Sequence, residues 1–191
     1  SRSSKLRTGR SIARHFAICQ PQKISLIPSH GRKNLSKMKT QDIIKAAEGE
    51  IGTTEIPYGS NKTRYGQWFG FDGVAWCAIF VSWCYDKAGV PLGNIGFLKG
   101  MAGCGSAVAH YIKTGEVTSK PKPGDIVFFD WNIDKQFDHT GIFVRDIDGK
   151  TFETIEGNTS LSNQSNGGSV MRRTRYYFGG VLFVHPKVLD A

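Results

Sequence analysis

Apolar positions divide the chain into a helical first part and a strand-rich second part. From Thr40 onward, Ile43, Ile44, Ala47 and Ile51 recur at helical spacing, and Thr40 stands where a helix cap belongs. The stretch 53–73 scatters Tyr58, Tyr65, Trp68, Phe69 and Phe71 among glycines and reads as a loop. The run AWCAIFVSWCYDKAG predicts a second helix, closed by Gly89 and Pro91. LGNIGFLKGMAGCGSAVAHYIKTG predicts a loop and a short helix ending near Gly115. Strands then follow. IVFFDW comes after the turn signal PKPGD, and HTGIFVRDI and KTFETIEGN flank Asp148-Gly149, a strong hairpin signal. VMRRTRYY follows the polar loop NTSLSNQSNGGS, and GGVLFVHP closes the pattern. Helices first and an antiparallel sheet second is the α+β layout.

The hairpin makes a geometric prediction. A two-residue turn at Asp148-Gly149 pairs Ile147 with Lys150, Arg145 with Phe152, Phe143 with Thr154, Gly141 with Glu156 and His139 with Asn158. His139, Glu156 and Asn158 then share one face of the sheet. Gly141, opposite Glu156, removes side-chain bulk beside the histidine; a bulge is the alternative use of that glycine. A one-residue slip would put the polar groups on opposite faces.

Charge changes the picture only at the N-terminus. Nine of the 25 Lys and Arg lie in residues 1–37, while all 16 acidic residues follow them, so residues 38–191 are neutral. A basic composition therefore argues for nucleic-acid binding only through an arm. Residues 1–37 read as a basic, disordered leader or appended extension, and 38–191 as the folded domain. The leader lacks the apolar stretch of a secretory signal, and no apolar run approaches the roughly 18–20 residues of a membrane span.

Cysteines at 19, 77, 84 and 104 make no disulfide framework. On a helix, Cys77 and Cys84 would be separated by about 10.5 Å of rise, too far for a bridge. Their spacing matches no zinc site, and free thiols point to a reducing compartment. Cys77 opens the second helix, where unpaired N–H groups and the helix dipole favour a thiolate. From position alone it is either a nucleophile or a buried structural cysteine. Cys84 lies in the apolar stripe and reads as core. Cys104, between glycines, reads as inert.

AWCAIFVSWC, PKPGDIVFF, DHTGIFV and IEGN, in this order, resemble the CHAP family of cell-wall amidases and endopeptidases, most of all the single-domain variety of phage endolysins. The resemblance covers about residues 39–187. It implies a papain-like fold, with Cys77 as nucleophile, His139 as general base and later acid, Glu156 as the group orienting His139, and Asn158 as a further polar residue near the imidazole. It also implies bacterial peptidoglycan as partner, a monomer, and no nucleic acid. No cofactor is called for; Asp72 stands alone where some phage members carry an Asp-rich calcium loop, so no metal is expected. Trp76, Trp68, Phe69 and Tyr65 are candidates for a substrate groove, with core packing as the alternative for most of them. Synthesis in a host bacterial cytoplasm without a signal peptide, followed by release onto the wall, fits that resemblance. An NlpC-type or other papain-like peptidase and a non-catalytic wall-binding module are the rival readings.

Overall fold

The computed structural model describes residues 29–191, with side chains from Lys37 onward. Residues 1–28 of the expected leader, Cys19 among them, lie outside the described residues, whereas residues 29–37 are helical rather than disordered.

Helix α1 spans Ser29–Glu48 and so begins well before Thr40. Thr40 caps nothing. It sits mid-helix, and its hydroxyl donates back to the Lys37 carbonyl at 3.0 Å. Ile43 and Ala47 are fully buried one turn apart, whereas Ile51 lies beyond the helix end and is exposed. Within the stretch expected as loop, α2 forms at Arg64–Phe69. Thr63 caps it by accepting from the Gly66 N–H at 3.0 Å, and Gly70 ends it at φ +87°. Six residues are too short to register a period, although both end signals are present in the sequence.

Helices α3 (Cys77–Lys87) and α4 (Cys104–Thr114) match the expected pair, and Gly115 closes α4 in the left-handed conformation. Almost every residue of α3 from Cys77 to Tyr85 is buried, which explains its apolar content on all sides.

Strands β1 (Val117–Thr118), β2 (Ile126–Phe129), β3 (His139–Asp146), β4 (Thr151–Thr159), β5 (Ser169–Tyr176) and β6 (Val181–Val184) form one antiparallel sheet, ordered β1-β6-β2-β3-β4-β5. The α+β expectation holds. Ile126, Phe128, Ile142 and Ile155 join the core that the helices cover. Val127, Phe129, Phe143, Phe152 and Phe183 form a second apolar layer on the alternate positions. With both faces covered, β2 is buried at all four residues.

The β3–β4 register holds where it matters, although the predicted turn is wrong. Ile147 N–H donates to the Thr151 carbonyl, so the loop is one residue longer than a two-residue turn. Arg145 consequently pairs with Glu153, not Phe152. A bulge between Phe143 and Arg145 absorbs the extra residue, and Phe143↔Thr154 and Ile142↔Ile155 return to the expected pairing. The two departures cancel before the chain reaches His139.

Candidate functional site

Cys77 is the first residue of α3, and the side chain of Trp76 at the cap makes no capping hydrogen bond to the helix. The first-turn N–H groups are therefore not consumed by a capping oxygen, and that of Ala78 faces the Cys77 sulfur. Close packing fixes this helix end. A Cβ on Gly157 would meet Phe80 Cβ at 2.6 Å and Trp76 Cζ3 at 2.7 Å, so only glycine lets β4 pass beneath the first turn of α3. Trp76 is itself pinned: its indole N–H donates to Glu55 Oε1 at 2.9 Å, and its ring stacks on Tyr65 at 5.4 Å.

His139 opens β3 and is completely buried, its ring stacked against Phe129 at 6.1 Å. Its Nε2 lies 3.0 Å from Glu156 Oε2. Its Nδ1 is buried without a hydrogen-bond partner, and the imidazole and the Cys77 thiol are close enough for each to shift the other's titration. Gly141 accounts for part of the fit, because a Cβ there would stand 2.6 Å from Glu156 Cγ.

Glu156 is held by more than the histidine. Arg175 donates through Nε to Glu156 Oε1 at 2.7 Å and through a terminal nitrogen to Oε2, and the Thr154 hydroxyl donates to Oε1 at 2.5 Å. The guanidinium is almost buried, with the rings of Phe129 and Trp131 at 5.3 and 4.9 Å. The sequence pattern does not single out Arg175. VMRRTRYY offers Arg172, Arg173 and Arg175, and the long 160–168 loop leaves the register of β5 open. The observed pairing Phe152↔Arg175 and Thr154↔Arg173 places Arg173 and Arg175 on the Glu156 side, with Arg172 opposite Ile155.

These contacts set the charges. The adjacent Cys104 thiol, His139 and the Ala78 N–H hold the Cys77 thiol well below its usual range, against the opposing effect of burial. Burial presses the His139 value down, but Cys77 and Glu156 more than offset it and lift it to about 9. Burial would raise Glu156, yet Arg175 and His139 bring it to about 2. These directions favour a thiolate on Cys77 beside an imidazolium on His139, backed by the Glu156 carboxylate and the Arg175 guanidinium. Such a thiolate can attack an electrophilic carbon, and the imidazolium can deliver a proton to a leaving group.

Three expectations need correction. Asn158 does not pair with His139: the β3–β4 ladder ends at Ile142↔Ile155, and Asn158 adopts φ +59° within a register shift of β4 against β5. Its amide donates to Asn166 Oδ1 at 2.9 Å, and its oxygen accepts the Gly168 N–H, tying down the 160–168 loop. Tyr65 and Trp76 line no groove, because both are fully buried; the Tyr65 hydroxyl donates to Glu50 at 2.5 Å. Trp68 alone of the four groove candidates is half-buried, with Lys99 Nζ 5.2 Å from its ring. And Cys104 is not remote from the site: it opens α4, and its sulfur lies 3.9 Å from that of Cys77. The glycines around it concealed the helix start.

Of the groove candidates, Phe69 borders an aromatic hollow on the surface. Phe71 and Phe97 stack at 6.0 Å and, with Phe69, Leu98 and Lys99, line a hollow of about 500 Å³. One of its two segments leads on to Cys77 and the other to Cys104. Asp72, the lone acid before the cysteine, accepts the Thr63 N–H at 2.9 Å. Among the described residues no cluster of His, Cys, Asp or Glu forms a metal-binding group, and no helix is long and apolar enough to cross a membrane.

Residues 69–158, slightly less than half of the chain, match the CHAP domain family. Among solved structures, the crystal structure of a wild-type endolysin, LysIME-EF1, is similar at 15% identity and a TM-score of 0.45, covering 77% of this chain. This chain spans 64% of that endolysin's length. No curated protein matches the sequence.

Proposed function

We propose that this protein, whose residues 69–158 match the CHAP domain family, hydrolyses an amide bond of bacterial peptidoglycan, with Cys77 as nucleophile. The observation that carries this reading is the buried series that runs from Cys77 at the first turn of α3 to His139, Glu156 and Arg175 on β3, β4 and β5. Cys77 attacks the amide carbonyl, and the oxyanion forms near the N–H groups of the α3 terminus. The His139 imidazolium protonates the departing amine, which leaves an acyl group on the sulfur. His139, now neutral, takes a proton from water, and the resulting attack releases the acid and regenerates the thiolate. Glu156 keeps the imidazole oriented and charged, and Arg175 keeps Glu156 ionised. Asn158 supports the loop behind β4 and does not join the proton transfer.

The scissile bond in this reading is either the lactyl–alanine link, making the enzyme an amidase, or a bond of the stem peptide or cross-bridge, making it an endopeptidase. The protein acts as a monomer on the wall after release from the cytoplasm of a phage-infected bacterium. Digesting purified peptidoglycan and analysing the fragments by mass spectrometry tests both levels. New amino groups with unmodified glycan define the reaction class, and the fragment masses define the bond. Intact wall after digestion with folded, reduced protein overturns the proposal.

A further inference from the structure

The reaction described above leaves one neighbour of the nucleophile unused. Cys104 opens α4 as Cys77 opens α3, and the two sulfurs stand 3.9 Å apart. Both residues are nearly closed to solvent, at 5% and 7% exposure. Two thiolates at that distance in a buried site would repel strongly, so only one of the pair ionises. The surroundings choose which. Cys77 has the His139 imidazolium and the Ala78 N–H against it, whereas Cys104 has the carboxylate of Asp138 in its vicinity. The anion belongs on Cys77 and the remaining proton on Cys104.

We propose that Cys104 is a positioning residue that keeps its proton and donates an S–H hydrogen bond to the Cys77 thiolate, holding the nucleophile charged and oriented. The inference rests on Cys77 being the nucleophile. It has a kinetic signature that simple packing lacks. Removing the donor raises the pKa of Cys77, which lowers the thiolate fraction in acid. It also makes the thiolate, once formed, intrinsically more reactive, with a Brønsted slope of about 0.4–0.5. A rise of about one unit therefore predicts alkylation about three- to fourfold slower below the midpoint and about threefold faster on the alkaline plateau.

The test is the pH dependence of iodoacetamide alkylation of the full chain, followed by mass spectrometry of the peptide bearing each cysteine. In the wild type, Cys77 must react well ahead of Cys104 throughout; simultaneous reaction, or Cys104 first, overturns the inference without any variant. Cys104→Ala is expected to move the Cys77 midpoint up by about one unit or more with the crossing of rates described. Cys104→Ser, which retains an O–H donor, should lie between the two. A Cys104→Ala profile superimposed on the wild type sinks the idea, as does an equal shift in the serine and alanine variants. If the alanine variant does not fold, the serine variant and the wild-type order of alkylation decide. Alkylation needs no wall substrate, so the two readings fail separately. Inactivity toward peptidoglycan with a shifted Cys77 titration removes the substrate assignment alone; Cys77-dependent lysis with an unshifted titration removes the role of Cys104 alone.

Discussion

Cys77 and Cys84 lie seven residues apart on one helix, and both are buried. Their thiols are displaced in opposite directions: Cys77 is held well below the usual range, while burial pushes Cys84 well above it. Burial alone cannot make a nucleophile, since removing water always penalises the thiolate. What separates the first turn of α3 from the third is company. At the first turn there are free N–H groups, an imidazolium and a second thiol; around Cys84 there is only the apolar core. Helix position makes the difference possible, and tertiary neighbours make it large.

The sharpest way to break this comparison is to exchange the consequences of losing each sulfur. Cys77→Ala should abolish wall hydrolysis, a loss of about 10⁴-fold or more in kcat, with an unchanged circular dichroism spectrum. Cys84→Ser should keep measurable turnover and lose about 1–3 kcal/mol of stability for a poorly paired buried hydroxyl. Comparable activity in the two variants would dissolve the distinction.

The charged groups behind His139 come next in size. Arg175→Met leaves the Glu156 carboxylate buried with one partner fewer, and a loss of about 3–5 kcal/mol in chemical denaturation is expected. Glu156→Gln should slow catalysis by about 10–100-fold, less than His139→Ala, because glutamate orients the imidazole without reacting. Equal losses for Glu156→Gln and His139→Ala in single-turnover kinetics would assign Glu156 a direct chemical part.

Gly157→Ala should cost about 1–3 kcal/mol, because the added methyl forces the first turn of α3 off β4. Since Cys77 moves with that turn, activity should fall further than the melting temperature alone explains. A fully active, destabilised variant would show that the helix tip tolerates displacement.

Titration offers a gentler test. His139 is raised from 6.5 to about 9, so the imidazolium and the stability it contributes are complete below pH 6.5 and are lost as pH rises through about 9. The kcat/KM profile should decline on that alkaline limb. Glu156 is lowered from 4.5 to about 2, so its contribution is present above pH 4.5 and disappears as pH falls through about 2. An alkaline limb near pH 6.5 would mean that the imidazolium lacks its partners. The smallest effect concerns the exposed hollow: Phe97→Ala should raise KM a few-fold and leave kcat unchanged if wall fragments rest there, and should change neither otherwise.

Much of the site was legible from local pattern. A thiol after Asp72-Gly73 at the head of an apolar helix, a histidine starting a strand, and a glutamate at the far end of the paired strand each follow from spacing. Gly141 beside Glu156 followed from parity, and parity survived because the bulge near Val144 repaid the longer turn. The sequence could not weigh Asn158, whose left-handed backbone turns it toward the 160–168 loop. It also could not tell Tyr65 and Trp76 in the core from residues lining a groove.

Periodicity and end signals, being local, determined the longer helices and the strands, the α+β order and the face shared by His139 and Glu156, while the six-residue α2 escaped them. The meeting of α3 with α4, which sets Cys104 against Cys77, and the pairing of β5 with β4, which delivers Arg175, were decided by packing alone. Both join segments linked by long connections, where no turn fixes the register and only the closing of the core chooses which side chains meet.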